Sequence, residues 1–302
     1  MITISLIGEQ PIPNLLPLLY EPPEMAILVH TERTKSVAER LQRVLDRRSI
    51  KAQRLPTDPY DIRKIWEDLR GFLINEGLER KELVFNLTGG TKTMVLAAYE
   101  LAREHQAQFL YLQSEGKSSV LYRYRFEGTG PCYETRETLK GVITIEDYLK
   151  VHREDYQEKG PAQGFGGRFE SAIANALQGV VDEVKVGVTI GGAMELDLIV
   201  RIANQVGVIQ AKTGKTARTK EGLREVKSAC SREYLGTYTA KMLVINQQWD
   251  HSQDNLRELA DNWDVTVIHL PSFTENACCL SDDDREHLRR EVVRVLTGQE
   301  VP

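Results

Sequence analysis

Leu83-Val84-Phe85-Asn86-Leu87-Thr88-Gly89-Gly90-Thr91-Lys92-Thr93 joins a short apolar run to a glycine turn, and an apolar segment from Met94 to about Glu104 follows. The run has the length of a buried strand and the following segment has helical spacing, so the stretch reads strand, turn, helix. The same alternation extends outward. Ile2 to Ile7 and Met25 to Val29 are short apolar runs, and Val37, Leu41, Val44 and Leu45 then share a helical face. Ile50 to Leu55 reads as a third strand, with Ile62, Ile65, Trp66, Leu69, Phe72 and Leu73 recurring at helical spacing behind it. Gln108 to Gln113 and Ser119 to Phe126 read as two more strands. Strands separated by helical segments predict an α/β domain over residues 1–127, a mostly parallel sheet wrapped by helices.

From Gly128 the pattern weakens until Gly160-Pro161, so 128–160 reads as a connecting region with one short helix near Ile145 to Tyr156. A second domain is expected over 161–302. Its pieces are a helix at Phe169 to Leu177, strands at Val180 to Ile190, Met194 to Ile202 and Val206 to Ala211, and a helix at Glu221 to Tyr234. Strands at Lys241 to Ile245 and Val265 to Leu270 follow, with helices at Asn255 to Asn262 and Asp284 to Leu296.

The 302 residues are 41% apolar and 27% charged, an ordinary globular balance. A net charge of −5 excludes a protein that coats nucleic acid through its overall field, so any nucleic-acid site is a local patch. No apolar stretch reaches the roughly 18 residues of a membrane span, and Met1-Ile2-Thr3-Ile4 lacks a charged leader. The expectation is a cytoplasmic protein with no membrane partner. Cys132, Cys230, Cys278 and Cys279 form no Cys-x-x-Cys pair and read as idle thiols. The six histidines lack zinc-site spacing, which leaves carboxylates as metal ligands.

The glycine turn places exposed amides between a strand end and a helix start, where unpaired N–H groups and the helix dipole favour an anion. It is neither a Walker A loop, because Thr91 precedes Lys92 where that pattern has glycine, nor a Gly-x-Gly-x-x-Gly fingerprint. Local physics also allows a plain tight turn with Thr88 or Thr91 as helix cap.

The first domain, with Asn86-Leu87-Thr88-Gly89-Gly90-Thr91-Lys92 between strand and helix, resembles the CARF domain, the Rossmann-like sensor of cyclic oligoadenylates made by type III CRISPR complexes. Ser5-Leu6-Ile7-Gly8-Glu9-Gln10-Pro11-Ile12-Pro13-Asn14-Leu15-Leu16 resembles the first strand and loop of CARF proteins that carry a nuclease at the carboxyl end. The resemblance implies that Thr88, Gly89, Gly90, Thr91 and Lys92 hold phosphates and ribose of a cyclic oligoadenylate such as cyclic tetra-adenylate. Gly8, Glu9 and Gln10 would line the same pocket, and two protomers of a homodimer would share one ligand.

Met194-Glu195-Leu196-Asp197-Leu198 lies on one expected strand, and Gln210-Ala211-Lys212 ends the next. Period two puts Glu195 and Asp197 on one face and Gln210 and Lys212 on one face of the neighbour. A short turn around Ala203 to Gln205 would bring the four together, and Glu170, on the helix after Gly164-Phe165-Gly166-Gly167-Arg168, can reach the same cleft. A cross-strand ion pair between Asp197 and Lys212 is the bland alternative.

The order helix-Glu, strand-Asp, strand-x-x-Lys resembles the PD-(D/E)xK nucleases, a restriction-endonuclease-like fold. The resemblance implies that Asp197, Gln210, the Ala211 carbonyl and Glu170 bind Mg²⁺ or Mn²⁺ and that Lys212 positions or activates the attacking water. Gln210 departs from the usual acidic residue, and Glu195 and Glu170 are the carboxylates at hand to compensate. From Lys212 to Arg232 seven cations, including Lys215, Arg218, Lys220 and Arg224, stand against Glu221 and Glu225. Such a run is either a solvated face or a phosphate-binding surface without base specificity. The resulting expectation is a metal-dependent endonuclease for DNA or RNA, switched on by cyclic oligoadenylate. The alternative is a ligand-sensing regulator whose nuclease-like domain binds nucleic acid without cleaving it.

Overall fold

Apolar runs and helical faces alternate in the first half as β1 (Ile2–Leu6), α1 (Ile12–Tyr20), β2 (Met25–His30), α2 (Lys35–Arg47), β3 (Ala52–Pro56), α3 (Ile62–Asn75), β4 (Leu83–Asn86), α4 (Lys92–Glu104), β5 (Gln108–Glu115), β6 (Ser118–Glu127) and β7 (Gly130–Thr138). This computed structural model describes residues 1–128, 130–192 and 194–299. Residues 300–302, the end of the second domain expected from sequence, lie outside them. The chain divides into two compact units, Met1–Ile143 and Thr144–Pro302.

The first unit is a seven-stranded sheet in the order β3-β2-β1-β4-β5-β6-β7, parallel through β5 and antiparallel beyond. Ile2, Ile4 and Leu6 of β1 alternate toward α3 and α4, with Ile65, Leu69, Met94 and Leu101 in the same core. The chain moves one way from β1 through β3 and the other way after β4. The order therefore reverses between β1 and β4, where a doubly wound sheet opens a crevice at its carboxyl edge.

Two local differences from the sequence reading stand out. The segment after β1, read as loop, forms α1: Leu15, Leu16 and Leu18 are buried at helical spacing. Pro11 and Pro13 sit in its first turn, where a missing N–H costs nothing. The region 128–160, read as a connection, belongs to both units. Its first part is edge strand β7, whose polar residues around Glu134 to Thr138 gave little apolar signal.

The second unit runs α5 (Ile145–His152), β8 (Tyr156–Glu158), α6 (Gly164–Leu177), β9 (Glu183–Ile190), β10 (Met194–Ile202), β11 (Gln205–Lys212), α7 (Glu221–Ala229), β12 (Ala240–Ile245), α8 (Asp254–Asn262), β13 (Thr266–His269) and α9 (Asp282–Thr297). Its sheet has the order β13-β12-β11-β10-β9-β8, antiparallel from β8 to β11 and parallel from β11 to β13. Leu198, Val200 and Ile209 face Phe169, Ile173, Leu288 and Val292 of α6 and α9. α7 lies on the opposite face, where a Cβ on Gly222 would run into Leu243 and crowd Lys212. α6 begins earlier than its apolar residues suggested, at Gly164. Gly167 is required there, because a Cβ would run into the Ala162 carbonyl of the segment folded over it. Among the described residues no helix is long and apolar enough to cross a membrane.

Candidate functional site

At the strand-order reversal of the first unit, the loop after β1 meets the turn after β4. An ideal Cβ on Gly8 would lie 3.4 Å from the Gly90 amide nitrogen, and one on Gly89 would collide with the Leu6 carbonyl oxygen and stand 2.9 Å from Asn14 Nδ2. Gly90 adopts φ +76°. Backbone is thus packed against backbone where the sheet opens, and at position 89 only glycine permits it.

The threonines of the turn are structurally engaged. Thr88 Oγ1 donates to Asn86 Oδ1 at 2.6 Å and accepts from the Leu112 amide at 2.8 Å. Thr91 caps α4 by accepting from the Met94 amide at 3.2 Å, and its hydroxyl donates to the Pro59 carbonyl at 2.7 Å. Lys92 opens α4 and is exposed. Beneath the turn, Asn86 and Asn14 are fully buried and joined at 3.4 Å, while Ser5 Oγ, Asn14 Nδ2 and Gln10 Oε1 are buried with no partner. Glu9 pairs with Arg33 at 2.5 Å. The structure therefore brings Gly8 to the Gly89-Gly90 backbone, with the helix-start amides of α4 and exposed Lys92 continuing that turn.

In the second unit, β10 and β11 form a hairpin whose turn holds Ala203 at φ +51°. Its cross-strand register ends at Leu198↔Ile209, and side chains continue it. The Ala211 amide donates to Asp197 Oδ2 at 2.7 Å, and Gln210 Nε2 donates to the Glu195 carbonyl at 2.9 Å. Continuing the register sets Asp197 opposite Gln210. Gln210 pairs in register with Leu243 of β12, and Gly222 of α7 lies so near both Leu243 and Lys212 that a Cβ there would meet them at 2.6 and 3.0 Å. Asp197, Gln210 and Lys212 therefore share the face that α7 covers.

Burial decides the electrostatics here. It pushes the Asp197 carboxyl up from 3.8 to about 6, against the Ala211 hydrogen bond and the Lys212 charge, and the carboxylates of Glu170 and Glu225 push the same way. Burial pulls the Lys212 ammonium down, but its hydrogen bond to Glu225 and the charges of Asp197, Glu225 and Glu221 outweigh it, so the net shift is upward. Lys212 is a fixed cation, suited to orienting water or phosphate and unsuited to accepting a proton.

Glu195 is not part of this group: its side chain is 77% exposed and pairs with Lys159 at 3.4 Å. Glu170 is buried, and its Oε2 accepts from the Ala162 amide at 2.9 Å. Among the described residues no three His, Cys, Asp or Glu side chains gather as a metal cluster. Yet Gln210 is 1% exposed and its Oε1 has no partner, while Nε2 is anchored. A buried amide oxygen left without a donor, beside a carboxyl whose ionised form burial disfavours until a positive charge compensates it, suits a hard divalent cation. Asp197, Gln210 Oε1 and the Ala211 carbonyl are the oxygens to hold it.

Lys215 and Arg218 lie on a short 3-10 turn, Gly214–Arg218, and Lys220 and Arg224 at the start of α7. All four are exposed, with Arg218 Nε donating to Gln247 Oε1 at 2.7 Å. The four cysteines are free thiols, and burial pushes Cys230 up to about 12.

Gln210→Glu puts a carboxylate against the Glu195 carbonyl in place of a donor. It is expected to lower the melting temperature of metal-free protein and to enlarge the rise produced by Mn²⁺, as differential scanning calorimetry at several Mn²⁺ concentrations would measure. An unchanged metal response would remove Gln210 from the cation site.

Residues 2–148 match the family described as the Card1 CARF domain. Among solved structures, Can2 from Sulfobacillus thermosulfidooxidans, in complex with cyclic tetra-adenylate, is similar with a TM-score of 0.72 and 15% identity, covering 98% of this chain and 99% of that one. Protein VC1899 from Vibrio cholerae is similar with a TM-score of 0.73 and 15% identity over 99% of each chain. A type III CRISPR defence DNA nuclease activated by cyclic oligoadenylate is similar with a TM-score of 0.61 and 14% identity, covering 86% of this chain and 51% of that one. At such identities the likeness is one of fold. No curated protein matches by sequence.

Proposed function

We propose, taking the match of residues 2–148 to the Card1 CARF domain as premise, that the chain is a metal-dependent nuclease switched on by a cyclic oligoadenylate. The first unit is the sensor. Gly89, Gly90 and the start of α4 present amides at the sheet's crevice, Lys92 adds a charge, and Gly8 to Gln10 form the opposite lip. A cyclic tetra-adenylate shared by two chains of a homodimer would meet two such turns.

The second unit is the cutter, of PD-(D/E)xK type. The observation that carries this reading is the unpartnered Gln210 Oε1 beside Asp197 on the face that holds Lys212. Mg²⁺ or Mn²⁺ bound there would supply positive charge toward a scissile phosphate. Asp197, Gln210 and Ala211 offer the oxygens, Lys212 orients water or phosphate through its permanent charge, and Lys215, Arg218, Lys220 and Arg224 hold the nucleic-acid backbone. The absence of a three-carboxylate cluster among the described residues favours a second reading, a sensor that binds nucleic acid uncut.

Incubating the chain with plasmid, labelled single-stranded DNA and RNA, with Mn²⁺ and with or without cyclic tetra-adenylate, separates the two. Cleavage that depends on both additions is expected, and binding without cleavage would leave the second reading. Lys92→Ala should weaken cyclic tetra-adenylate at least tenfold in calorimetry, since hydrogen bonds to charged groups contribute roughly 1.5 to 3 kcal/mol each, yet cut normally at saturation. Unchanged affinity would take Lys92 out of the ligand pocket.

A further inference from the structure

Gln210 leaves the candidate cation site one negative charge short, and each carboxylate offered by the sequence has a partner of its own. Glu195 points outward to Lys159, and Glu170 has its Oε2 taken up by the Ala162 amide. A different carboxylate stands inside the group. Glu225, on α7, lies 2.6 Å from Lys212 Nζ, with side chains 33% and 18% exposed respectively. α7 holds it there because Gly222, one turn earlier, sits against Leu243 and Lys212 with no room for a side chain. We propose that Glu225 is the second carboxylate of the cation site, supplying from a helix the charge that Gln210 does not supply from the strand. The proposal rests on the metal-dependent nuclease reading.

The geometry supports it in three ways. Asp197, Gln210 and Lys212 share the sheet face under α7, so a carboxylate on the inner side of α7 faces them directly. Lys212 Nζ stands 2.6 Å from Glu225 Oε2, so a positive charge already sits beside this carboxylate on that face. The buried Gln210 Oε1, anchored through Nε2 and without a donor, adds a neutral oxygen on that face. Two carboxylates, an amide oxygen and a backbone carbonyl make an oxygen set of the kind Mg²⁺ and Mn²⁺ take.

The test is calorimetric titration of the full chain with Mn²⁺ in the absence of nucleic acid and cyclic nucleotide, so cleavage plays no part in the readout. Glu225→Gln should lower Mn²⁺ affinity about tenfold or more, with Glu225→Asp restoring part of it. Glu221→Gln, which makes the same charge change one turn earlier at the exposed first residue of α7, should leave affinity within about twofold. The loss from Glu225→Gln should persist in a Lys212→Met background. If it vanishes there, Glu225 acts only by holding Lys212 and the proposal falls. Wild-type affinity in Glu225→Gln also overturns it while leaving the nuclease reading standing. A wild-type chain that binds no Mn²⁺ overturns both.

Discussion

Asp197→Asn is expected to abolish cleavage and, at the same time, to stabilise the protein at neutral pH. The carboxyl has an ordinary value of 3.8 that burial lifts to about 6. The folded protein therefore binds this proton more tightly than the unfolded chain, so the stability it contributes is fully present below pH 3.8 and is lost as pH rises through 6. The whole loss amounts to about 3 kcal/mol. Asparagine keeps an oxygen for the Ala211 amide, carries no charge into the buried position and escapes the loss. Chemical unfolding should find the variant more stable than wild type by up to about 3 kcal/mol at pH 7.5 and nearly equal to it at pH 4. Equal stabilities at pH 7.5 would refute the burial argument, and robust cleavage by the variant would remove Asp197 from the chemistry. Because the same carboxyl must ionise to hold a cation, wild-type Mn²⁺ affinity should fall about tenfold for each pH unit below about 6, a slope that titrations at pH 5 and 6 would measure.

Gly89→Ala is expected to be the most damaging single-atom change in the first unit. Its Cβ would enter the space of the Leu6 carbonyl oxygen, a backbone atom of a central strand that no rotamer change can move, and crowd Asn14 Nδ2 as well. Overpacking of this kind costs about 3 kcal/mol, which for a unit of this size lowers the melting temperature on the order of 10 °C. The variant should also lose cyclic tetra-adenylate affinity, because pushing the turn off β1 displaces the amides that follow it. A melting temperature within about 2 °C of wild type would mean that the turn moves freely away from the Leu6 carbonyl.

The elements legible from sequence were those whose apolar residues keep one period. The strand at Leu83, the helix behind Lys92, and the pair of strands carrying Asp197 and Gln210 fall in this class, and their register follows from the hairpin turn at Ala203. What escaped lay where the period was masked. α1 hid behind Pro11, Pro13 and Pro17, and β7 is an edge strand with few buried side chains. Asp197, Gln210 and Lys212 were brought to one face by period two alone. Glu195 obeys the same period but stands two residues nearer the strand's end, where the sheet no longer covers it. Glu225 had no sequence signal as a site residue, since its role depends on which face α7 covers. Its helical position appears in sequence merely as one acid among many bases.

The network beneath the glycine turn bears on how a sensor of this build would respond. Asn86 ties the turn to Asn14 of α1, Thr88 ties it to the backbone of β5, and Thr91 and Thr93 tie it to Pro59 ahead of α3. A segment fastened at that many points has little conformational freedom left to lose, so an anion seating on it pays little ordering entropy. Nor can such a turn absorb the pull of a ligand by closing like a flexible lid. A displacement of the turn would be handed on to what it is fastened to, so the expected response is a joint shift of α1, β5 and the segment ahead of α3.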